Sequence, residues 1–356
     1  MRLSDPCPIG AGLEAKGAYE CTVLESVDEG LREAACRNKH LLIYLHECAR
    51  NPELGVPMYA EQLSRDMRKL SKPNIIYPIG DPFFVHIYPN PNSERLKYHS
   101  IQPRSTLQSR DLMRLVEDLI GMVIDEEYDY KDREEQERLL EKALSEVVEI
   151  DDSIKEYGAY KLKRGRRGRK VAVNRETFEA LKHEFISEKV GMGLLEPFLR
   201  DPYIEDISCV GVGPLFVEHK VFQSCVCTIG FESEEELNEF VLKLSERIGR
   251  PVTFRKPIVD ATLPDGSRIN IVFGSEISKR GSNFTIRKFS DKPISVTQLV
   301  AWGTMDARMA AYLWMLLEAG MSVWVCGETA SGKTTTVKAI CAFIRPDAKI
   351  ISICLL

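Results

Sequence analysis

The chain has no apolar run long enough to cross a bilayer, and that absence sets the first bound on what it can be. A spanning helix needs about 20 consecutive apolar residues; the best stretch here, 112–124, is short and interrupted by Arg114, Glu117 and Asp118. Met1-Arg2-Leu3-Ser4-Asp5-Pro6 is not followed by a hydrophobic region, so it is not read as a secretory signal. No two cysteines have C-x-x-C spacing, which removes the strongest zinc pattern. The ten cysteines, at 7, 21, 36, 48, 209, 225, 227, 326, 341 and 354, are read as reduced thiols of a cytoplasmic protein. A metal held by Cys7, Cys21, Cys36 and Cys48 with His40 and His46 is an alternative that the wide spacing disfavours.

A strong charge of either sign is also missing. Lys and Arg number 48 against 53 Asp and Glu, a formal net charge of −5. Such a surface does not draw polyanions as a whole, although local basic patches remain open. With 356 residues, 44% hydrophobic and 28% charged, the chain has the size and composition of two or three globular domains.

What the chain does contain is Gly327-Glu328-Thr329-Ala330-Ser331-Gly332-Lys333-Thr334, which satisfies G-x-x-x-x-G-K-[ST] at every fixed position. A short β-rich apolar run at 321–326 precedes it, and 335–343 follows with Val337, Ile340 and Cys341 at helical spacing. Strand, loop and helix in that order make a phosphate cradle. Gly327 and Gly332 let the backbone fold tightly, so that N–H groups and the positive end of the helix converge on a β-phosphate. Lys333 is expected to reach the β- and γ-phosphate oxygens. The Thr334 hydroxyl is the expected Mg²⁺ ligand, because Mg²⁺ takes few protein ligands and shares phosphate oxygens and water. The expected ligands are therefore ATP and Mg²⁺, held by 327–335 with Thr335 closing the set. The bland reading, a Gly-rich turn with an exposed lysine, fits this context poorly.

Upstream, four segments are expected. Residues 1–106 read as an α+β domain, with helical pieces at 31–36 and 41–48, an amphipathic helix at 58–70 and strands at 74–77 and 83–88. Residues 107–174 are a helical connector, with helices at 109–124 and 139–148, followed by the basic run 161–170. That run is expected to be a solvated loop; anionic lipid head groups, nucleic acid or an acidic partner are its functional readings. Residues 175–292 form a second α+β unit. Its helices are 175–190 and 233–247, with Ser233 and Glu236 as a capping box. Its strands are 204–209, 215–218, 221–228 and 284–289, with a Pro-Asp-Gly turn at 264–266. Residues 293–356 hold a helix over 306–319 capped by Thr304, the phosphate loop, and a second strand at 349–353.

Beyond the loop, Leu199-Arg200-Asp201-Pro202-Tyr203-Ile204-Glu205-Asp206-Ile207, then Arg255-Lys256-Pro257 with Leu263-Pro264-Asp265-Gly266-Ser267-Arg268, then Gly281-Ser282-Asn283-Phe284-Thr285-Ile286-Arg287-Lys288-Phe289, stand in order. This set resembles the type II/type IV secretion-system ATPases, most of all the archaeal form that drives pilus or archaellum assembly. The likeness covers about 175–353 strongly and 1–150 loosely. It implies an α/β and α+β multidomain protein, with 175–292 as a PAS-like module and 293–356 as an incomplete RecA-like P-loop NTPase domain. It implies a cytoplasmic homo-hexamer, peripherally associated with the inner face of the membrane, whose hydrolysis of ATP moves a polytopic membrane platform protein and pilin-like filament machinery. By motif, Arg268, Arg280 and Arg287 would act with Lys333 on the nucleotide, since a guanidinium can neutralise charge on phosphoryl oxygens. An exposed or acid-paired arginine is the equal alternative for each.

The same resemblance leads one to look past Ser352-Ile353 for an acidic box, a Walker B segment and a histidine box, where the chain instead has Cys354-Leu355-Leu356. The expectation is therefore weak nucleotide binding with little or no hydrolysis by these residues, as a fragment, a truncated product or the upstream part of an interrupted protein. Two other readings stand beside the motor: a non-hydrolysing assembly or regulatory subunit docking partners through 1–290, and, ranked last, a nucleic-acid motor with 161–170 as its basic track.

Overall fold

Two distant stretches of the sequence build one continuous sheet: the strands Ile75–Pro78 and Phe84–Tyr88 are buried on both faces, while the later strands alternate buried and exposed side chains. The computed structural model describes residues 26–51, 54–103, 109–123, 133–154, 158–165, 168–289, 294–328 and 331–351. Residues up to Lys288 form one compact unit and those from Phe289 onward a second.

In the first unit, α1 (Glu29–Arg37) and α2 (Lys39–Arg50) precede four strands, β1 (Met58–Tyr59), β2 (Ile75–Pro78), β3 (Phe84–Tyr88) and β4 (Leu96–Ile101). Six more follow later in the chain: β8 (Ile204–Cys209), β9 (Gly213–His219), β10 (Gln223–Phe231), β11 (Ile258–Thr262), β12 (Arg268–Val272) and β13 (Asn283–Arg287). The ten strands run in the order β1-β2-β3-β4-β10-β9-β8-β13-β12-β11. The seam is the parallel pair β4–β10, with Leu96 opposite Cys225 and Tyr98 opposite Cys227. Segments 1–106 and 175–292 thus contribute neighbouring strands to a single sheet. Cys225 and Cys227 are both buried on one face of β10, as their alternation in sequence predicts.

One polar cluster spans that seam. Asp201 is fully buried; its Oδ2 accepts hydrogen bonds from the Tyr77 hydroxyl at 2.7 Å and the Tyr98 hydroxyl at 2.9 Å, and its Oδ1 accepts from the Tyr203 amide at 2.8 Å. Lys288 Nζ donates to the Phe198 carbonyl at 3.1 Å and to the Asp201 carbonyl. His219 Nδ1 accepts from the amides of Val221 and Phe222, which makes its ring neutral and leaves Nε2–H to donate to the Tyr77 hydroxyl at 3.1 Å.

A separate three-stranded sheet, β5-β7-β6, carries the connector. Its strands are β5 (Val148–Ile150), β6 (Tyr160–Gly165) and β7 (Gly168–Val173). It packs Val148, Val171 and Val173 against Leu112 and Val116 of α3 (Ser109–Val123), Leu144 of α4 (Arg133–Val147) and Leu181 and Phe185 of α5 (Arg175–Lys189). Beyond the short α6 (Glu196–Arg200), α7 (Glu234–Arg247) has Ser233 as its N-cap, with Oγ accepting from the Glu236 amide at 3.1 Å. The Glu236 carboxylate reaches back to the Glu232 amide, one residue before the cap.

Several expectations need correction. Residues 58–70 are not an amphipathic helix: 58–59 pair in parallel with 75–76, and Arg65–Lys69 is a 3₁₀ turn. The Met58 and Ala60 amides donate to the Asn74 and Ile76 carbonyls at 2.9 Å, so an edge of β2 supplies partners that helical spacing does not reveal. The basic run is not a loop but the β6–β7 hairpin, with Arg166 and Arg167 outside the described residues. The strand expected over 284–289 ends at Arg287.

The second unit contains α8 (Val296–Ala301), α9 (Ala307–Glu318) and α10 (Lys333–Ile340) around Leu299, Met305, Ala310 and Ala339. The cap of α9 is Asp306, whose Oδ1 accepts from the Met309 amide at 2.7 Å, and not Thr304. The strand expected at 321–326 is not formed: among the described residues of this unit no segment pairs with it, and Trp324 is 87% exposed. An apolar alternating run becomes a strand only when a neighbour completes its ladder. Residues 349–351 likewise carry no strand, and the remainder of that expected strand, 352–353, lies outside the described residues.

The buried histidines make the first unit sensitive to acid. Burial, helped by Lys220, pushes the His219 ring down to about 3; burial, helped by His99, pushes His86 down to about 3. In the unfolded chain both rings titrate near 6.5. Their contribution is therefore complete above the unfolded value and is lost as pH falls toward the folded one. Going from pH 7 to pH 5 is expected to cost about 2 kcal/mol per ring. Asp201, whose carboxyl burial pushes up, works in the opposite sense. A lower urea midpoint at pH 5 than at pH 7, with a shallower pH slope in His86→Gln protein, is the expected result; an unchanged slope in that variant would show that His86 takes up its proton in the folded state.

Candidate nucleotide site

The loop that carries the phosphate motif is shaped by two glycines. Gly332, at φ +87°, is the N-cap of α10 and holds a left-handed backbone that side-chain-bearing residues adopt only with strain. Gly327 is needed for closeness: a Cβ there would lie 2.6 Å from Ser331 Oγ. The loop is thus folded back on itself, with the Ser331 amide donating to the Glu328 carbonyl at 3.2 Å. Thr329 and Ala330 lie outside the described residues.

Lys333 is the first residue of α10, and its ammonium curls over the loop. Nζ donates to the Gly327 carbonyl at 2.7 Å and to the Glu328 carbonyl. The lysine is therefore already positioned at the mouth of the loop, held by neutral acceptors that an anionic oxygen outcompetes. The first turn of α10 leaves amides without intrahelical acceptors; the first intrahelical bond runs from the Thr336 amide to the Gly332 carbonyl at 2.9 Å. Thr334 is exposed on this turn, and Thr335 is half-buried. Free amides, the helix dipole and one ammonium make a concentrated site for a phosphate anion. Thr334 offers the hydroxyl by which Mg²⁺ would be held beside that anion, and its exposure fits an ion that keeps most of its waters.

The three arginines belong to the first unit. Arg268 on β12 and Arg287 on β13 are direct cross-strand partners and both are exposed, so the fold brings these two together. Arg280 lies in the loop beyond the other end of that strand pair. The separation along the strand from Asn283 to Arg287 is about 13 Å, so Arg280 does not share their site within one chain. Asp206 on β8 is the next residue in the row, opposite Arg287, with Oδ1 3.9 Å from its Nε. Burial pushes the Asp206 carboxyl up, and Arg287 opposes that push. Sequence reasoning missed this pairing, because the Pro-Asp-Gly turn sets Arg268 opposite Thr262, while the long connection 273–282 leaves the register of β12 against β13 open.

Residues 188–354, just under half of the chain, match the family described as type II/IV secretion system protein. Among its relatives, an uncharacterized protein of Methanocaldococcus jannaschii is 42% identical over 323 residues, covering 90% of this chain and 58% of the relative. A second uncharacterized protein of that organism is 35% identical over 168 residues, covering 46% of this chain and 23% of the relative. The type IV secretion system protein VirB11 of Bartonella quintana is 25% identical over 219 residues, covering 48% of this chain and 58% of that protein. The chain thus spans about three fifths, or less, of the length of these relatives.

Proposed function

We propose that this chain is the ATP- and Mg²⁺-binding part of a secretion-type P-loop ATPase, whose hydrolysis of ATP powers assembly of a type IV pilus, an archaellum or a type II secretion filament. The observation that carries the reading is the placement of Lys333. Its ammonium sits over the Gly327 and Glu328 carbonyls at the head of α10, where an incoming phosphate would meet the ammonium and the free helix amides together. The family match over 188–354 supports the secretion context. That context brings a RecA-like ATPase domain, a PAS-like module, a hexameric ring, a polytopic membrane platform and a cytoplasmic site of action at the membrane face. In a ring, Arg268 and Arg287 would serve as paired cations for the phosphoryl group of a neighbouring subunit's nucleotide, the role that gives two exposed like charges a common purpose.

Equilibrium titration with a fluorescent ATP analogue tests the reading. Saturable binding is expected with Mg²⁺ present, weakened when EDTA removes the metal and competed by unlabelled ATP or ADP but not by AMP, since AMP lacks the β-phosphate that the loop holds. No saturable binding at millimolar ATP with Mg²⁺, or competition by AMP equal to that by ADP, would overturn it.

A further inference from the structure

The β6–β7 hairpin carries a feature that nucleotide binding does not use. Its register sets Lys163 opposite Lys170 and Arg164 opposite Arg169. Like charges directly across a ladder repel, whereas on the neighbouring helix α5 Lys182 pairs with Glu141 at 2.6 Å and Lys189 with Glu117 at 2.7 Å. Among the described residues of the hairpin only Lys163 is so treated, by Asp151 at 2.8 Å and Glu149 at 3.3 Å. No carboxylate among the described residues pairs with Lys161, Arg164, Arg169 or Lys170, in a chain that has more acidic than basic residues to offer.

The arrangement of these charges says what kind of surface would meet them. Opposite residues in an antiparallel pair point to the same face, and successive ones alternate. Arg164 and Arg169 therefore project from one face of the ribbon, and Lys161, Lys163 and Lys170 from the other. β6 is the edge of its sheet, and along it Leu162 is 54% exposed and Tyr160 40%. A globular acidic partner docked on one face would leave the cations of the other face unused. Cations on both faces beside an exposed leucine and tyrosine fit an environment that is anionic around the ribbon and apolar beneath it. We infer that the β6–β7 hairpin, through Lys161, Arg164, Arg169 and Lys170 with Leu162 and Tyr160, docks into the headgroup layer of an anionic phospholipid membrane.

The contact is independent of the phosphate loop, so the two readings fail separately. In vesicle co-sedimentation at low salt, the wild-type chain is expected on phosphatidylglycerol/phosphatidylcholine vesicles but not on pure phosphatidylcholine, with binding that falls as salt rises. Each cation near such a surface is worth roughly fivefold in affinity, so Arg164→Ser/Arg169→Ser/Lys170→Ser is expected to lose about a hundredfold. Its unfolding midpoint should be no lower than that of the wild type, because the change removes repulsion. Arg164→Ser alone should lose about fivefold, and Lys333→Ala protein should bind the vesicles unchanged. Equal binding to both vesicle types, wild-type binding by the triple variant, or tighter binding to duplex DNA than to the anionic vesicles at the same salt would each overturn the inference.

Discussion

Lys333→Ala protein is expected to lose ATP binding by a factor of at least about a hundred. The ammonium is the only side-chain cation held over the loop among the described residues, and it rests on the Gly327 and Glu328 carbonyl oxygens. In the complex those bonds are exchanged for bonds to anionic phosphate oxygens, in which both partners are charged, and a hydrogen bond to a charged group is worth about 1.5–3 kcal/mol. Every 1.4 kcal/mol is about tenfold in affinity. The substitution does not threaten the helix, since alanine is the best residue for the first turn of α10. Titration with the same fluorescent analogue reads the effect directly. Wild-type affinity in the alanine variant would mean that the nucleotide, if bound, sits elsewhere. Lys333→Arg is expected to fall between the two, because the charge is kept while a planar fork replaces the compact ammonium that fits between two carbonyls.

Asp201→Ala is the substitution expected to cost most in stability. It removes the acceptor of the buried Tyr77 and Tyr98 hydroxyls and of the half-buried Tyr203 amide. A buried donor left without a partner costs about 1–3 kcal/mol, so the two tyrosine hydroxyls together bring the loss to about 4 kcal/mol for the first unit. Urea unfolding checks this. The double variant Tyr77→Phe/Asp201→Ala should cost less than the two single changes added together, because the phenylalanine no longer presents a hydroxyl that needs the carboxylate. A loss below about 1 kcal/mol in Asp201→Ala would show that water or a shifted backbone satisfies the tyrosines instead.

The distribution of these effects follows how far apart in sequence the interacting groups lie. The phosphate loop was legible because its chemistry is written in eight consecutive residues whose glycines and lysine each have one physical reason to be there. The helices 175–190 and 233–247 and the cap at Ser233 were legible for the same reason, as was the turn at 264–266, where the Asp265 carboxylate accepts from the Ser267 amide at 3.0 Å. The motif that contains Asp201 was visible too, but not its role. Tyr77 and Tyr98 stand 124 and 103 residues upstream of it.

Some signals misled because periodicity reports which side of an element is apolar without naming the partner. The run 58–70 carries apolar residues that suit a helix, yet the edge of β2 offered backbone partners to its first residues, and a ladder won. The run 321–326 has a strand's composition and no ladder to join. For the basic run, charge spoke for a solvated loop, whereas Val171 and Val173 had a helical core to cover and drew their segment into a hairpin.

What composition, spacing and local motif decided for this protein is therefore the phosphate loop and most of the helices. What folding in three dimensions decided is the joining of 58–101 to 204–287 through the β4–β10 pair, the meeting of Arg268 and Arg287 apart from Arg280, and the two-faced cationic ribbon. The physical reason is the range of the interactions. Dihedral preference, capping and side-chain periodicity act within a few residues of one another, while strand register and buried polar clusters depend on which distant segment arrives to complete them.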